Sequence, residues 1–140
     1  MSKKSLTFKR VLLKLSGEIF GSEKKPIDFE KVKKVSFVIK KVFEEIKIQL
    51  AVVVGAGNII RGREVEGTEI DHAVADSMGM LATVINSLAL QEGLENLGLT
   101  TRVLSAISMP QVCELYIRRR AIRHMEKGRI VILAGGTGNP

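Results

Sequence analysis

The chain has 140 residues, 45% hydrophobic and 26% charged, with a single cysteine, Cys113, and a formal charge of +7. This is the composition of one folded domain and excludes both a disordered chain and an intrachain disulfide. The basic start Met1-Ser2-Lys3-Lys4 leads into no apolar stretch, and no run of about 18 uninterrupted apolar residues occurs, so neither a secretory leader nor a bilayer span is expected and the reading is cytoplasmic.

In chain order, the burst Arg10 to Leu15 predicts a strand closed by Ser16-Gly17. A loop from Gly21 to Ile27 leads to a helix with Asp28 at its N-cap and an apolar stripe at Val32, Val35, Ile39, Val42, Phe43 and Ile46. Ile48 to Val54 predicts a second strand, ended by Gly55-Ala56-Gly57-Asn58, and Gly62 to Asp71 reads as loop. The next helix is expected from Asp71 to Leu97, stopped by Gly98. Its internal Gly79, costing ~1 kcal/mol, predicts a close approach by backbone or ligand. Thr101 to Ser105 is a third strand. Pro110 suits the first turn of a third helix running to Lys127, with Gly128 ending it. Ile130 to Leu133 is the fourth strand, closed by Gly135-Gly136-Thr137-Gly138. The order β-α-β-α-β-α-β implies a parallel sheet covered by helices. No helix follows the last glycine run, which reads as a chain cut short, with its last strand expected at an open sheet edge.

Ligands of open parallel sheets bind beyond the carboxyl ends of the strands. Three of the four predicted strands end in glycine, which lets backbone N–H groups approach an anion closely. Together these loops favour a phosphate-binding cleft over three unrelated tight turns. The sequence holds no G-x-x-x-x-G-K-[ST] and no G-x-G-x-x-G, since Ile60 stands where the last glycine would fall. One cysteine with the separated His72 and His124 makes no standard zinc site, and no metal-ligating residue is proposed. Lys14 is either a lysine snorkelling from a sheet edge or a point charge over a phosphoryl group. Arg61 is either a surface cation or a fork for phosphate oxygens. Asp76 reads as a solvated helix position or a ribose ligand. The cluster from Arg118 to Arg129 reads as a solvated face or subunit contact, and 4% aromatic residues argue against single-stranded nucleic acid.

The segments Leu13-Lys14-Leu15-Ser16-Gly17-Glu18, Val54-Gly55-Ala56-Gly57-Asn58 with Arg61-Gly62, Asp76 with Met78-Gly79-Met80-Leu81-Ala82-Thr83, and Ala134 to Pro140 resemble the bacterial uridylate kinases, of the amino acid kinase superfamily. The resemblance implies a three-layer α/β/α sandwich with a mainly parallel sheet. Residues 1–140 then answer to the N-terminal, UMP-binding part, about half the fold, without the C-terminal ATP-binding part. By position, Lys14, Leu15, Ser16 and Gly17 correspond to the ATP-phosphate loop, with Lys14 as a catalytic lysine. Gly57 and Arg61 correspond to further ATP-phosphate contacts, Arg61 also catalytic. Ala56 corresponds to a UMP contact, although glycine is commonest there, and Asp76 to the UMP-ribose ligand. Thr137, Gly138, Asn139 and Pro140 correspond to the start of a UMP-binding loop.

The activity so implied is phosphoryl transfer from ATP with magnesium to UMP, in a homo-oligomer, hexameric in the complete enzyme. Gly21 to Ile27 overlaps a region tied to GTP activation in some relatives. Two other readings stay open: a superfamily sibling that phosphorylates a carboxylate or carbamate, and a non-catalytic nucleotide- or RNA-binding module drawing on the +7 charge.

Overall fold

The computed structural model describes residues 7–138; Asn139, Pro140 and the basic start at residues 1–4 lie outside the described residues. Short Val-, Ile- and Leu-rich runs form β1 (Arg10–Leu15), β2 (Gln49–Val54), β3 (Thr101–Ser105) and β5 (Ile130–Ala134), and β4 is only Glu114–Leu115. The helices are α1 (Phe29–Ile46), a single turn α2 (Gly62–Val65), α3 (His72–Glu95) and α4 (Arg118–Glu126). Two start at carboxylate caps. Asp28 accepts from the Glu30 N–H at 3.1 Å and Asp71 from the Ala73 N–H at 2.8 Å, each taking up an orphan donor of the first turn.

All strand pairs are parallel and the order is β1-β2-β5-β3-β4. From β1 to β2 and on to β3 the chain advances across the sheet, through α1 and α3. From β4 to β5 it turns back, through α4. Crossovers of constant hand put helices on one face when the chain advances and on the other when it reverses. Accordingly α1 and α3 pack on one face over Leu50, Val52, Val54, Val103, Ile130 and Ile132. On the other face Ala121 and Met125 of α4 pack with Ala51, Leu104 and Val131. Alternate residues of one strand thus serve two cores, as a pleat with period two requires. The result is the expected α/β/α layering.

Three expectations need correction. The third helix does not begin at Pro110. Residues 109–113 make one turn, the Met109 carbonyl accepting from Val112 and Cys113, and β4 then pairs with β3 before α4 opens at Arg118. The edge of β3 offers hydrogen bonds that a helix there would forgo. The last strand, β5, is not at an edge; it lies between β2 and β3, because α3 carries the chain past the gap that β5 later fills. And no backbone closes on Gly79: a Cβ there would meet no protein atom within 4 Å, whereas one at Gly93 would collide with the Ser36 side chain of α1. The glycine that lets the two helices close on each other is Gly93.

Candidate functional site

The strands end level. Leu15 lies opposite Val54, Val53 opposite Leu133, and Ser105 opposite Ala134. The three glycine turns therefore leave from three adjacent strands, β1, β2 and β5, at one rim of the sheet.

The first two turns lock together. The Gly55 N–H donates to the Leu15 carbonyl at 2.9 Å. A Cβ on Gly17 would come within 2.5 Å of the Gly55 oxygen and 2.6 Å of Asn58 Oδ1, so only glycine fits. Arg61 spans both turns: its Nε donates to the Gly57 carbonyl at 2.9 Å, and its guanidinium pairs with Glu18 at 3.2 Å. The Ala56 carbonyl accepts from Ile59 and Ile60, but the N–H groups of Ala56, Gly57 and Asn58 have no acceptor among the described residues. Successive free N–H groups in a turn form a concavity for an anion. Ala56 keeps a negative φ, so its methyl costs no backbone strain where glycine is commonest in the resembling family.

The third turn is held differently. Gly135, Gly136 and Gly138 take φ values of 81°, 56° and 81°, which L side chains rarely adopt. The Gly138 N–H donates to the Gly135 carbonyl at 3.0 Å, and the Gly135 N–H donates to Thr83 Oγ1 at 2.8 Å. Thr137 belongs to this turn.

Sequence reasoning gave Thr83 and Asn86 no role of their own. Both lie on α3, three residues apart, facing the rim. Asn86 is fully buried; its Nδ2 donates to the Gly55 carbonyl at 2.8 Å and to Asn58 Oδ1 at 2.7 Å. The signal was present: Thr83, Asn86 and Ser87 are polar positions in the otherwise apolar run from Met78 to Leu90, and buried polar groups need partners.

Lys14 and Asp76 stand on opposite sides of the rim. Leu13 and Leu15 point into the core under α1, so Lys14, between them, points to the face that α4 covers further along. It begins a row across the sheet through Val53, Leu133, Leu104 and Glu114. Both Lys14 and Asp76 are exposed, Asp76 on the second turn of α3. Leu15 is half-buried and Ser16 exposed, its hydroxyl accepting from the Glu18 N–H at 3.3 Å.

Two other features lie away from the rim. A groove of about 600 Å³ runs between α1 and the outer edge of β1, lined by Phe8, Val11, Leu13, Val38 and Val42; its apolar walls suit no phosphate. At the opposite edge, Glu114 gathers the basic cluster. It pairs with His124 at 2.9 Å and lies 3.9 Å from Arg102 and 4.0 Å from Arg120. Arg129 contacts His124 Nδ1 at 2.9 Å. Next to Glu114, burial first and the Glu114 carboxylate second raise the Cys113 thiol above its ordinary pKa.

Residues 9–140 match the model of the amino acid kinase family. The chain is 53% identical over 134 residues to a uridylate kinase of Paramagnetospirillum magneticum, covering 95% of this chain and 55% of the relative. To a uridylate kinase of Rickettsia bellii it is 55% identical over 137 residues, covering 97% and 57%. It thus spans little more than half the length of these relatives. The fold superimposes on the crystal structure of UMP kinase from Ureaplasma parvum with a TM-score of 0.89 and 34% identity, over 95% of this chain and 58% of that one. The isopentenyl phosphate kinase of T. acidophilum, at TM-score 0.59 and 14% identity over 87% of this chain and 53% of that one, shares the fold alone.

Proposed function

We propose, on the premise that this chain belongs to the amino acid kinase family, that it serves phosphoryl transfer from ATP to UMP, giving ADP and UDP. The uridylate kinases and UMP kinases among its relatives support UMP as the acceptor. One observation carries the phosphate part of the reading: the run of N–H groups at Ala56, Gly57 and Asn58, in the second of two interlocked turns, with no acceptor among the described residues.

In this reading an oxygen of the UMP phosphate attacks the γ-phosphorus, the bond to the β,γ-bridging oxygen breaks, and ADP leaves. A phosphate monoester has its second pKa near ~6, so the acceptor is already mostly dianionic at neutral pH and needs no general base. What remains is positioning and neutralisation of charge. The turn amides hold phosphate oxygens, Lys14 and Arg61 meet the charge that spreads over the transferring group, and Asp76 takes the ribose hydroxyls. Arg61 is already oriented toward the turns by Gly57 and Glu18. Among the described residues no group of three or more His, Cys, Asp or Glu could hold a metal. Magnesium would come with ATP on its phosphate oxygens, as suits a hard cation.

The same proposal makes residues 1–140 the UMP-binding part of the domain and places the enzyme in the cytoplasm, in pyrimidine nucleotide synthesis, apart from membrane and nucleic acid. It assigns a hexamer to the complete enzyme, in keeping with the exposed apolar stripe Val74, Met78, Leu81 and Ile85 on α3. Helix α3 is long and apolar enough to cross a bilayer by length and composition, yet it lays Val84, Leu90 and Leu94 on the sheet.

The test is titration of the 140-residue chain with UMP by calorimetry, beside kinase assays with a panel of acceptors. UMP should bind. Turnover by this chain alone should be slight or nil. In a continuous chain that carries the relatives' remaining half, Lys14→Ala should slow turnover at least ~100-fold, the scale of one lost transition-state donor. A full-rate Lys14→Ala enzyme removes the role given to Lys14, and transfer to a carboxylate or carbamate instead of UMP removes the substrate.

A further inference from the structure

Asn58 and Asn86 face each other with every carboxamide proton engaged. Asn86 Nδ2 donates to the Gly55 carbonyl at 2.8 Å and to Asn58 Oδ1 at 2.7 Å. Asn58 Nδ2 donates to Asn86 Oδ1 at 3.0 Å and to the Pro26 carbonyl at 2.9 Å. A backbone carbonyl only accepts, so the Gly55 and Pro26 oxygens fix which end of each amide is nitrogen; neither side chain can flip without losing a bond. Asn86 is fully buried on a rigid helix, whereas Asn58 is half-buried in the turn. The helix-borne partner therefore sets the position of the turn-borne one. Gly17 closes over the pair, its missing side chain making room for the Gly55 oxygen and Asn58 Oδ1.

We infer that Asn86 is a positioning residue for the phosphate-bearing ligand, acting through the Gly55 carbonyl and the Asn58 carboxamide. Both bonds use the acceptor side of the turn. Drawing the Gly55 carbonyl and the Asn58 side chain toward α3 leaves the N–H groups of Ala56, Gly57 and Asn58 without acceptors among the described residues. Three residues upstream, Thr83 Oγ1 accepts from the Gly135 N–H at 2.8 Å. One helix thereby sets the spacing between the β2 and β5 turns. The inference rests on the proposed UMP site, and the experiment separates the two.

Asn86→Asp keeps shape and buries no extra atom, but it loses both donated bonds and sets oxygen against oxygen. UMP affinity of the folded variant, measured by calorimetry on the 140-residue chain, should fall at least about tenfold, the scale of a buried acceptor left unpaired. Amide exchange at Gly55, whose N–H is bonded to the Leu15 carbonyl, and at Ile59 and Ile60, whose N–H groups are bonded within the turn, should quicken at least about tenfold while β3 and β5 stay protected. Unchanged affinity with unchanged exchange overturns the inference. So does a loss of binding that only mirrors the fraction unfolded. Should Asn86→Asp not fold, Asn58→Ala, which leaves α3 intact, must show the same two changes, and unaltered exchange there is equally fatal. If the wild-type chain itself binds no UMP, the proposed function fails, and exchange alone decides the role of Asn86.

Discussion

The turns after β1 and β2 are held by each other, whereas the turn after β5 is held chiefly by its own dihedral angles. In the first pair, Gly17, Glu18, Asn58 and Arg61 meet from segments some forty residues apart, and each contact needs both partners in place. In the second, three glycines with positive φ are joined by the Gly138–Gly135 bond and by the bond to Thr83. An interlocked pair resists distortion but fails as a unit; a conformationally set turn yields locally. Two ways of shaping backbone for the same kind of ligand therefore carry different liabilities.

Substitutions can break that contrast. Gly17→Val should have the largest effect, because its side chain drives the Gly55 oxygen away. A loss of about 3 kcal/mol in urea unfolding is expected, the upper range for overpacking, with UMP binding lost in the remaining folded protein. A loss under ~1 kcal/mol would show that the turns are not interlocked. Gly135→Ala should cost about 2 kcal/mol, from the left-handed backbone and a Cβ placed 2.9 Å from Ser105 Oγ. Its amide exchange should quicken after β5 while Gly55 stays protected; spread to Gly55 would merge the two regions into one. Thr83→Val keeps the shape but removes the acceptor for the Gly135 N–H, at about 1 kcal/mol. Glu18→Gln should move stability by less than ~0.5 kcal/mol, since the ion pair with Arg61 is largely solvated, and a larger change would mean that charge, not close packing, joins the first two turns.

The same contrast decides what could be read from the chain. The β5 turn announces itself as Gly135-Gly136-Thr137-Gly138, because its cause lies in the residues that form it. Asp28 and Asp71 were legible for that reason too, and so were the four longer strands. The lock between β1 and β2 was only half legible. Gly17 and Gly57 were visible, but that Gly17 must clear the Gly55 oxygen follows from register, which no local pattern states. Asn86 was missed because a polar residue in an apolar helix reads as noise until its partners are known. Pro110 misled because a favourable first-turn residue was outweighed by the hydrogen bonds available along β3. Gly79 misled in the opposite way: a glycine in a helix suggests tight contact, yet the contact is at Gly93.

The place of β5 bears on how the molecule comes into being. As synthesis proceeds from the amino end, β1 with β2 and β3 with β4 can form two ribbons early, but no strand pairing joins them until Ile130 to Ala134 slides between. The join is also what brings the third glycine turn alongside the first two, so during translation the molecule has no assembled rim until nearly all of these residues have left the ribosome.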